Sequence, residues 1–173
     1  MESSVAAVAT DHSLPSATIE SFEDFYRAQA DRVYRALVLT VGDAELARDA
    51  TAEAMARAYA RWSHVSRVDN PGGWVYRVGL NWATSRWRRR RREHPLPADL
   101  DPAATPVDLE AVTVLAALRR LDTRSRAVVV CRVLLDMSTA QTAAALDIAE
   151  GTVKSRLARA LATLRASLTE EAP

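Results

Sequence analysis

The run M-S-T-A-Q-T-A-A-A-L-D-I-A-E-G-T-V-K-S-R-L-A-R-A-L-A-T-L-R-A-S-L, Met137 to Leu168, decides the fold, because it spells two short helices joined by a tight turn. Ser138 offers its hydroxyl as a cap for the first helix, and Gln141 three residues later completes a capping box that satisfies backbone donors left unpaired at a helix start. That helix is expected to run to about Leu146. Asp147 stands at the turn, where a residue that tolerates a left-handed backbone is needed and Gly is more usual. A second helix begins near Gly151 and Thr152. Val153, Leu157, Leu161, Leu164 and Leu168 fall on one of its faces, and Thr152, Ser155, Arg156, Arg159 and Thr163 on the other. In a DNA-binding helix-turn-helix the exposed N-terminal part of the second helix enters the major groove, where Arg contacts guanine and Ser, Thr or Lys hold bases or phosphates. An antiparallel helical hairpin with an ordinary solvated basic face fits the same pattern, so the rest of the chain has to separate the two.

At 173 residues the chain has room for one or two small domains. Its overall charge of +1 hides a segregation: residues 1–65 carry a net −4, 66–93 a net +6, 94–118 a net −4 and 119–168 a net +5. Two basic blocks separated by an acidic one suit a chain that meets a polyanion at two places, although charge blocks are also ordinary solvated faces. Cys131 is the only cysteine, which rules out a disulfide within the chain, and its apolar surroundings from Ala127 to Leu135 point to burial. His12, His64 and His94 lie far apart with no partner at ligand spacing, so no metal, cofactor or catalytic site is expected. No signal peptide and no membrane-length apolar run is present, which makes a cytoplasmic protein without membrane insertion the expectation.

Residues 1–17 show no periodic pattern and read as a disordered tail. Ser21 with Asp24 starts a core helix whose stripe of Phe22, Phe25, Gln29, Val33, Ala36 and Leu37 stops at Gly42. Asp43 caps the next, from Ala44 to about Trp62, with Ala47, Ala50, Ala54, Ala58 and Trp62 inward. Glu45, Asp49 and Glu53 follow at four-residue steps, a line of like charges that slightly destabilises an isolated helix. Such a line invites a cationic partner; neutralisation by Arg48 and Arg57 within the helix is the competing reading. Asn70 and Pro71 start a third helix, W-V-Y-R-V-G-L-N-W-A-T-S-R-W followed by five arginines, Arg88 to Arg92. Val75, Val78, Gly79 and Trp82 form its packing side; Arg77, Asn81, Thr84 and Arg88 form a polar stripe bordered by Trp74. Arginine interleaved with tryptophan and an amide fits single-stranded nucleic acid, because indoles and guanidinium planes stack on unpaired bases while charge neutralises phosphate. A solvated basic helix end is the plainer alternative. The Pro-rich acidic run 94–108 reads as a linker. Beyond it, helical spacing resumes through Val112, Leu115, Leu118 and Leu121, and Asp122 caps a helix from Thr123 to Leu135 with Val128, Val129, the stem of Arg132, Val133 and Leu135 inward.

Taken together, the arrangement from Ser21 to Leu168 resembles the extracytoplasmic-function (ECF) group of the sigma-70 family, small bacterial sigma factors that keep regions two and four. D-N-P-G-G-W-V-Y-R-V-G-L-N, Asp69 to Asn81, is similar to that family's W-L-x-R-I-A-x-N, and A-E-G-T-V-K-S-R-L-A-R-A-L, Ala149 to Leu161, to its G-T-V-K-S-R-L-x-R-A-R. The resemblance implies an all-α chain of two small helical domains joined by a flexible linker, with region two at 18–93 and region four at 109–169. It implies a sigma factor, not an enzyme, that binds core RNA polymerase and directs initiation at particular promoters. Glu45, Asp49 and Glu53 would then face the beta-prime clamp helices, with the beta flap as a second contact on the polymerase. Trp74, Arg77, Asn81, Arg86 and Arg88 would melt and hold the single-stranded −10 element, with Asn81 at a flipped base. Thr152, Lys154, Ser155, Arg156 and Arg159 would read the −35 element as duplex, and an anti-sigma factor is a further partner that the family allows. Two features depart from the family: Asp49 to Met55 lacks the usual Gln and Phe of the docking helix, and Asp147 and Thr142 replace a Gly and an aliphatic residue. The Ala-rich composition with Lys154 as the sole lysine suggests a GC-rich, actinobacterial genome. A free-standing helix-turn-helix regulator is the alternative function.

Overall fold

A computed structural model describes residues 21–93 and 116–170, and the described residues are helical with no strand. The expected tail at 1–17 and linker at 94–108 lie outside them. Helix α1 spans Phe22–Val41, held at its start by Ser21, whose hydroxyl accepts from the Asp24 amide at 3.2 Å. It stops at Gly42, where φ is +82° and the amide donates back to the Val38 carbonyl at 2.8 Å; only glycine enters that left-handed region without strain. Helix α2 spans Ala44–Ala60 under an Asp43 cap. The long inward helix expected to reach Trp62 breaks at Arg61, and Trp62 opens a short helix, α3, Trp62–Val65. There it packs on Phe22 and Phe25, with ring centroids 5.5 and 5.0 Å away.

Helix α4, Pro71–Glu93, lies across α1 and α2. The crossing is set by small residues. Ala47, Ala50, Ala54 and Ala58 are fully buried, and a Cβ on Gly79 would fall 2.8 Å from Leu37 Cδ1 and 3.3 Å from the Ala50 carbonyl oxygen. A backbone approach of that kind fixes α4 rigidly and leaves its opposite face to solvent.

The second unit begins with a helical turn at 116–119, then α5, Thr123–Val129, which runs into a π-helical turn, Val130–Leu134. Next come α6, Thr139–Leu146, and α7, Glu150–Glu170. The capping box is formed as expected: Gln141 N donates to Ser138 Oγ at 3.0 Å and Ser138 N to Gln141 Oε1 at 2.9 Å. Asp147 adopts the left-handed conformation, φ 53°. One expectation fails: Val133, placed inward by a continuous α-helix to Leu135, is 63% exposed. The π turn inserts an extra residue per turn and rotates the downstream residues about the helix axis, sending Val133 outward while Val130, Cys131 and Leu135 turn in. They turn into the core of the first unit, since Val130, Cys131, Leu135 and Met137 belong to one buried cluster with Phe25, Val33, Val75 and Tyr76.

Candidate nucleic-acid interface

Asn70 accepts from the Gly73 amide at 2.7 Å and so caps α4, with Pro71 following where its missing amide costs nothing. At about 100° per residue, Trp74, Arg77, Asn81, Thr84 and Arg88 share one side of the helix. Arg77, Asn81 and Arg88 are exposed, Trp74 is half-buried, and Thr84 spends its hydroxyl on the Leu80 carbonyl at 2.8 Å. Arg86 does not join this line. Its guanidinium lies 5.9 Å from the Trp82 ring centroid, about half a turn from Arg77. Among the described residues no carboxylate forms an ion pair with Arg77, Arg86 or Arg88. The interface line is therefore Trp74, Arg77, Asn81 and Arg88, an aromatic face, an amide and two cations standing on a rigid crossing.

The rigidity has a source that sequence reading missed. Tyr76 is fully buried, its hydroxyl 2.7 Å from Thr40 Oγ1 and hydrogen-bonded to Cys131. Burial, first, and the nearby Cys131 push the phenol well above its ordinary range, and burial pushes the Cys131 thiol up to about 12. The signal was available, because Tyr76 sits between Val75 and Gly79 on the packing side.

The second set stands on α7. Lys154, Ser155 and Arg159 are exposed, while Thr152 and Arg156 are half-buried. Ser155 donates to the Thr152 carbonyl at 3.2 Å and Arg159 Nε to the Ser155 carbonyl at 3.3 Å, which lines these side chains along the helix. Val153 and Ala160 bury the opposite side against Val128 and Leu118. Asp122 caps α5 with bonds from the Arg124 and Ser125 amides at 2.9 and 3.0 Å. The Ser125 hydroxyl bond, then these amides, then the charge of Arg156 hold its carboxyl below the ordinary range.

The acidic line on α2 is only partly free. Glu45 and Asp49 are exposed, whereas Glu53 is half-buried and pairs with Arg57 at 2.8 Å. Arg48 turns away from the acids, its guanidinium 6.0 Å from the Tyr34 ring centroid. Met55, where the resemblance leads one to look for Phe, is buried in the core. Among the described residues no cluster of His, Cys, Asp and Glu could hold a metal, and no helix is long and apolar enough to cross a membrane.

Two family models match the chain: Sigma-70 region 2 over residues 25–93 and Sigma-70, region 4 over residues 111–164. The RNA polymerase sigma-E factor of Streptomyces coelicolor is 36% identical over 151 residues, covering 85% of either chain. The ECF RNA polymerase sigma factor SigM of Mycobacterium tuberculosis is 36% identical over 148 residues, 83% of this chain and 75% of that protein. Among solved structures, the sigma factor RpoE bound to the anti-sigma factor NepR, from Bartonella quintana, superposes with a TM-score of 0.71 at 21% identity, covering 87% of this chain and 98% of that one. CnrH in complex with the cytosolic domain of CnrY follows at 0.60 and 25% identity, covering 87% and 89%.

Proposed function

The chain belongs to the sigma-70 family, and we propose on that footing that its two basic helices divide promoter recognition between them. The protein is a sigma factor of the ECF group: it binds core RNA polymerase and directs initiation at particular promoters, reading the −35 and −10 elements and helping to open the DNA. It is an initiation factor acting in the cytoplasm, without a reaction of its own.

Residues 18–93 form region two and 109–169 region four, with 94–108 linking them. Trp74, Arg77, Asn81 and Arg88 on α4 take the melted −10 strand, the indole for stacking, Asn81 for a base edge and the arginines for phosphate. Arg86, stacked on Trp82 off that line, holds phosphate from the flank. Thr152, Lys154, Ser155, Arg156 and Arg159 take the −35 duplex, with arginine suited to guanine. Glu45 and Asp49, with Glu53 once Arg57 releases it, face the beta-prime clamp helices, and region four meets the beta flap. An anti-sigma factor, the partner named for the similar RpoE structure, would cover these surfaces. The observation that carries the reading is the presence in one chain of two solvent-facing basic helices of different chemistry, one aromatic and amide-bearing, one hydroxyl-bearing on a helix-turn-helix.

Run-off transcription with purified core polymerase on a promoter library tests this. The chain should co-elute with core enzyme and yield discrete, promoter-dependent transcripts. No co-elution and no initiation would overturn the reading, and sequence-specific duplex binding in that case would favour the free-standing regulator. Asn81→Ala should impair promoter opening while core binding survives; unchanged opening removes Asn81 from the site.

A further inference from the structure

Gly79 stands in the middle of α4, a helix of 23 residues, although only proline is a poorer helix former. The motif that this stretch resembles, W-L-x-R-I-A-x-N, carries Ala at the same place. The packing around Gly79 favours the smaller residue. A Cβ there would lie 2.8 Å from Leu37 Cδ1, closer than Cβ atoms pack in folded proteins, 3.3 Å from the Ala50 carbonyl oxygen and 3.6 Å from Ala54 Cβ. Leu37 is fully buried, so its terminal methyl has little room to swing aside in a close-packed interior, and the Ala50 oxygen belongs to the backbone of α2.

The place of that contact on the helix matters as much as its closeness. At about 100° per residue, Trp74, Arg77, Asn81 and Arg88 all lie about 140–180° around α4 from Gly79, so the exposed line backs directly onto the crossing. Val75, Tyr76 and Ala83, within about 60° of Gly79, are fully buried. On α2, Ala50 and Ala54 each follow one of the acids, Asp49 and Glu53. The residues assigned to polymerase and those assigned to the −10 strand are thus joined through one close approach of two helices.

We propose, on the division of labour above, that Gly79 is a positioning residue: by carrying no side chain it sets how closely α4 lies on α2, and so where Asn81 and its neighbours stand relative to the helix that docks on polymerase. Side chains that hold a ligand need placing to within about 0.5 Å. Relaxing a contact of 2.8 Å to an ordinary carbon–carbon separation of about 3.5–4.0 Å takes about 1 Å of movement, shared between Leu37 and α4. Because α4 is pushed along the direction from Gly79 to Asn81, the whole exposed line advances together, while the acids of α2 stay in place. Polymerase docking and promoter opening are therefore separable at this residue.

The test compares the full chain as wild type, Gly79→Ala and Gly79→Ala with Leu37→Val, each reconstituted with core polymerase. Valine lacks the δ carbon that the added methyl would meet. Gly79→Ala should fold, with unchanged helicity by circular dichroism, and bind core within about twofold of wild type. Open complexes, scored by permanganate reactivity of unpaired thymines, should fall at least about fivefold while discrimination at the −35 element is kept. Leu37→Val in the same chain should return opening to within about twofold of wild type. A general weakening of the fold would instead lower core binding, opening and −35 discrimination together, and trimming a core leucine would not relieve it. Wild-type opening by Gly79→Ala, a parallel loss of core binding, or no recovery in the double variant would each overturn the assignment. If Gly79→Ala alone does not fold, the double variant is read in its place: opening within about twofold of wild type supports the assignment, and lower opening or failure to fold overturns it. A wild-type chain that neither binds core nor opens promoters would defeat the functional reading instead.

Discussion

Two fully buried threonines separate the two halves of the molecule. Thr40, in α1, donates its hydroxyl to the Ala36 carbonyl at 2.8 Å and meets the Tyr76 hydroxyl at 2.7 Å. Thr142, in α6, is as deeply buried, and its hydroxyl has no hydrogen-bond partner among the described residues. The first unit has its buried polar atoms paired and its helices locked at Gly79. The second carries an unpaired hydroxyl and left-handed aspartates flanking α6, and it borrows core from its neighbour. Rigidity is thus concentrated under α4, the helix proposed to take the melted strand, while α7, proposed to read duplex, sits on a unit with slack.

The largest blow to that contrast comes from Tyr76→Ala, which should cost about 3–5 kcal/mol in urea unfolding, as for other large core deletions. A cost below about 1 kcal/mol would mean the first unit is not locked. Thr40→Val should destabilise by about 1–3 kcal/mol, because it leaves the buried Tyr76 phenol only the weakly bonding Cys131 thiol as a partner. Asp122→Ala should cost about 1 kcal/mol at neutral pH through loss of the α5 cap. The Asp122 carboxyl is held below its usual value of 3.8 in the folded chain. Its contribution is therefore present above that pH and lost as pH falls through the lowered folded value, so the gap from wild type should narrow in acid. A gap independent of pH would assign the effect to something other than the charged cap. The smallest effect sharpens the comparison most: Thr142→Val should raise stability by up to about 1 kcal/mol, since it removes a buried unpaired hydroxyl at constant shape. The same exchange with the same sign at both sites would erase the distinction.

Much of this was legible in local sequence signals. Ser21, Asp43, Asn70, Asp122 and Ser138 all cap where their side-chain chemistry predicts, and Gly42 and Asp147 turn where a left-handed residue is needed. The exposed stations Arg77, Asn81, Ser155 and Arg159 follow from helical spacing alone. Arg86 and Val133 did not, for different reasons. Arg86 was placed with Arg77 and Arg88 by the resemblance, whereas helical spacing already sets it about half a turn from Arg77, where it lies exposed beside the Trp82 ring. Val133 depends on a π turn that nothing in the local residues announces; its last carbonyl is capped by Arg32, 102 positions away. The pairing of Glu53 with Arg57, weighed against a free acidic line, was a choice of partners that spacing left open.

The claim that two helices read two elements is tested most directly by transcription with reconstituted holoenzyme on promoters altered at one element at a time, using Asn81→Ala and Arg156→Ala. Asn81→Ala should lose discrimination at the −10 element and keep it at −35, and Arg156→Ala should do the reverse, each by tenfold or more for about 1.4 kcal/mol of lost base contact. Variants that shift discrimination at the other element, or at neither, would contradict the account.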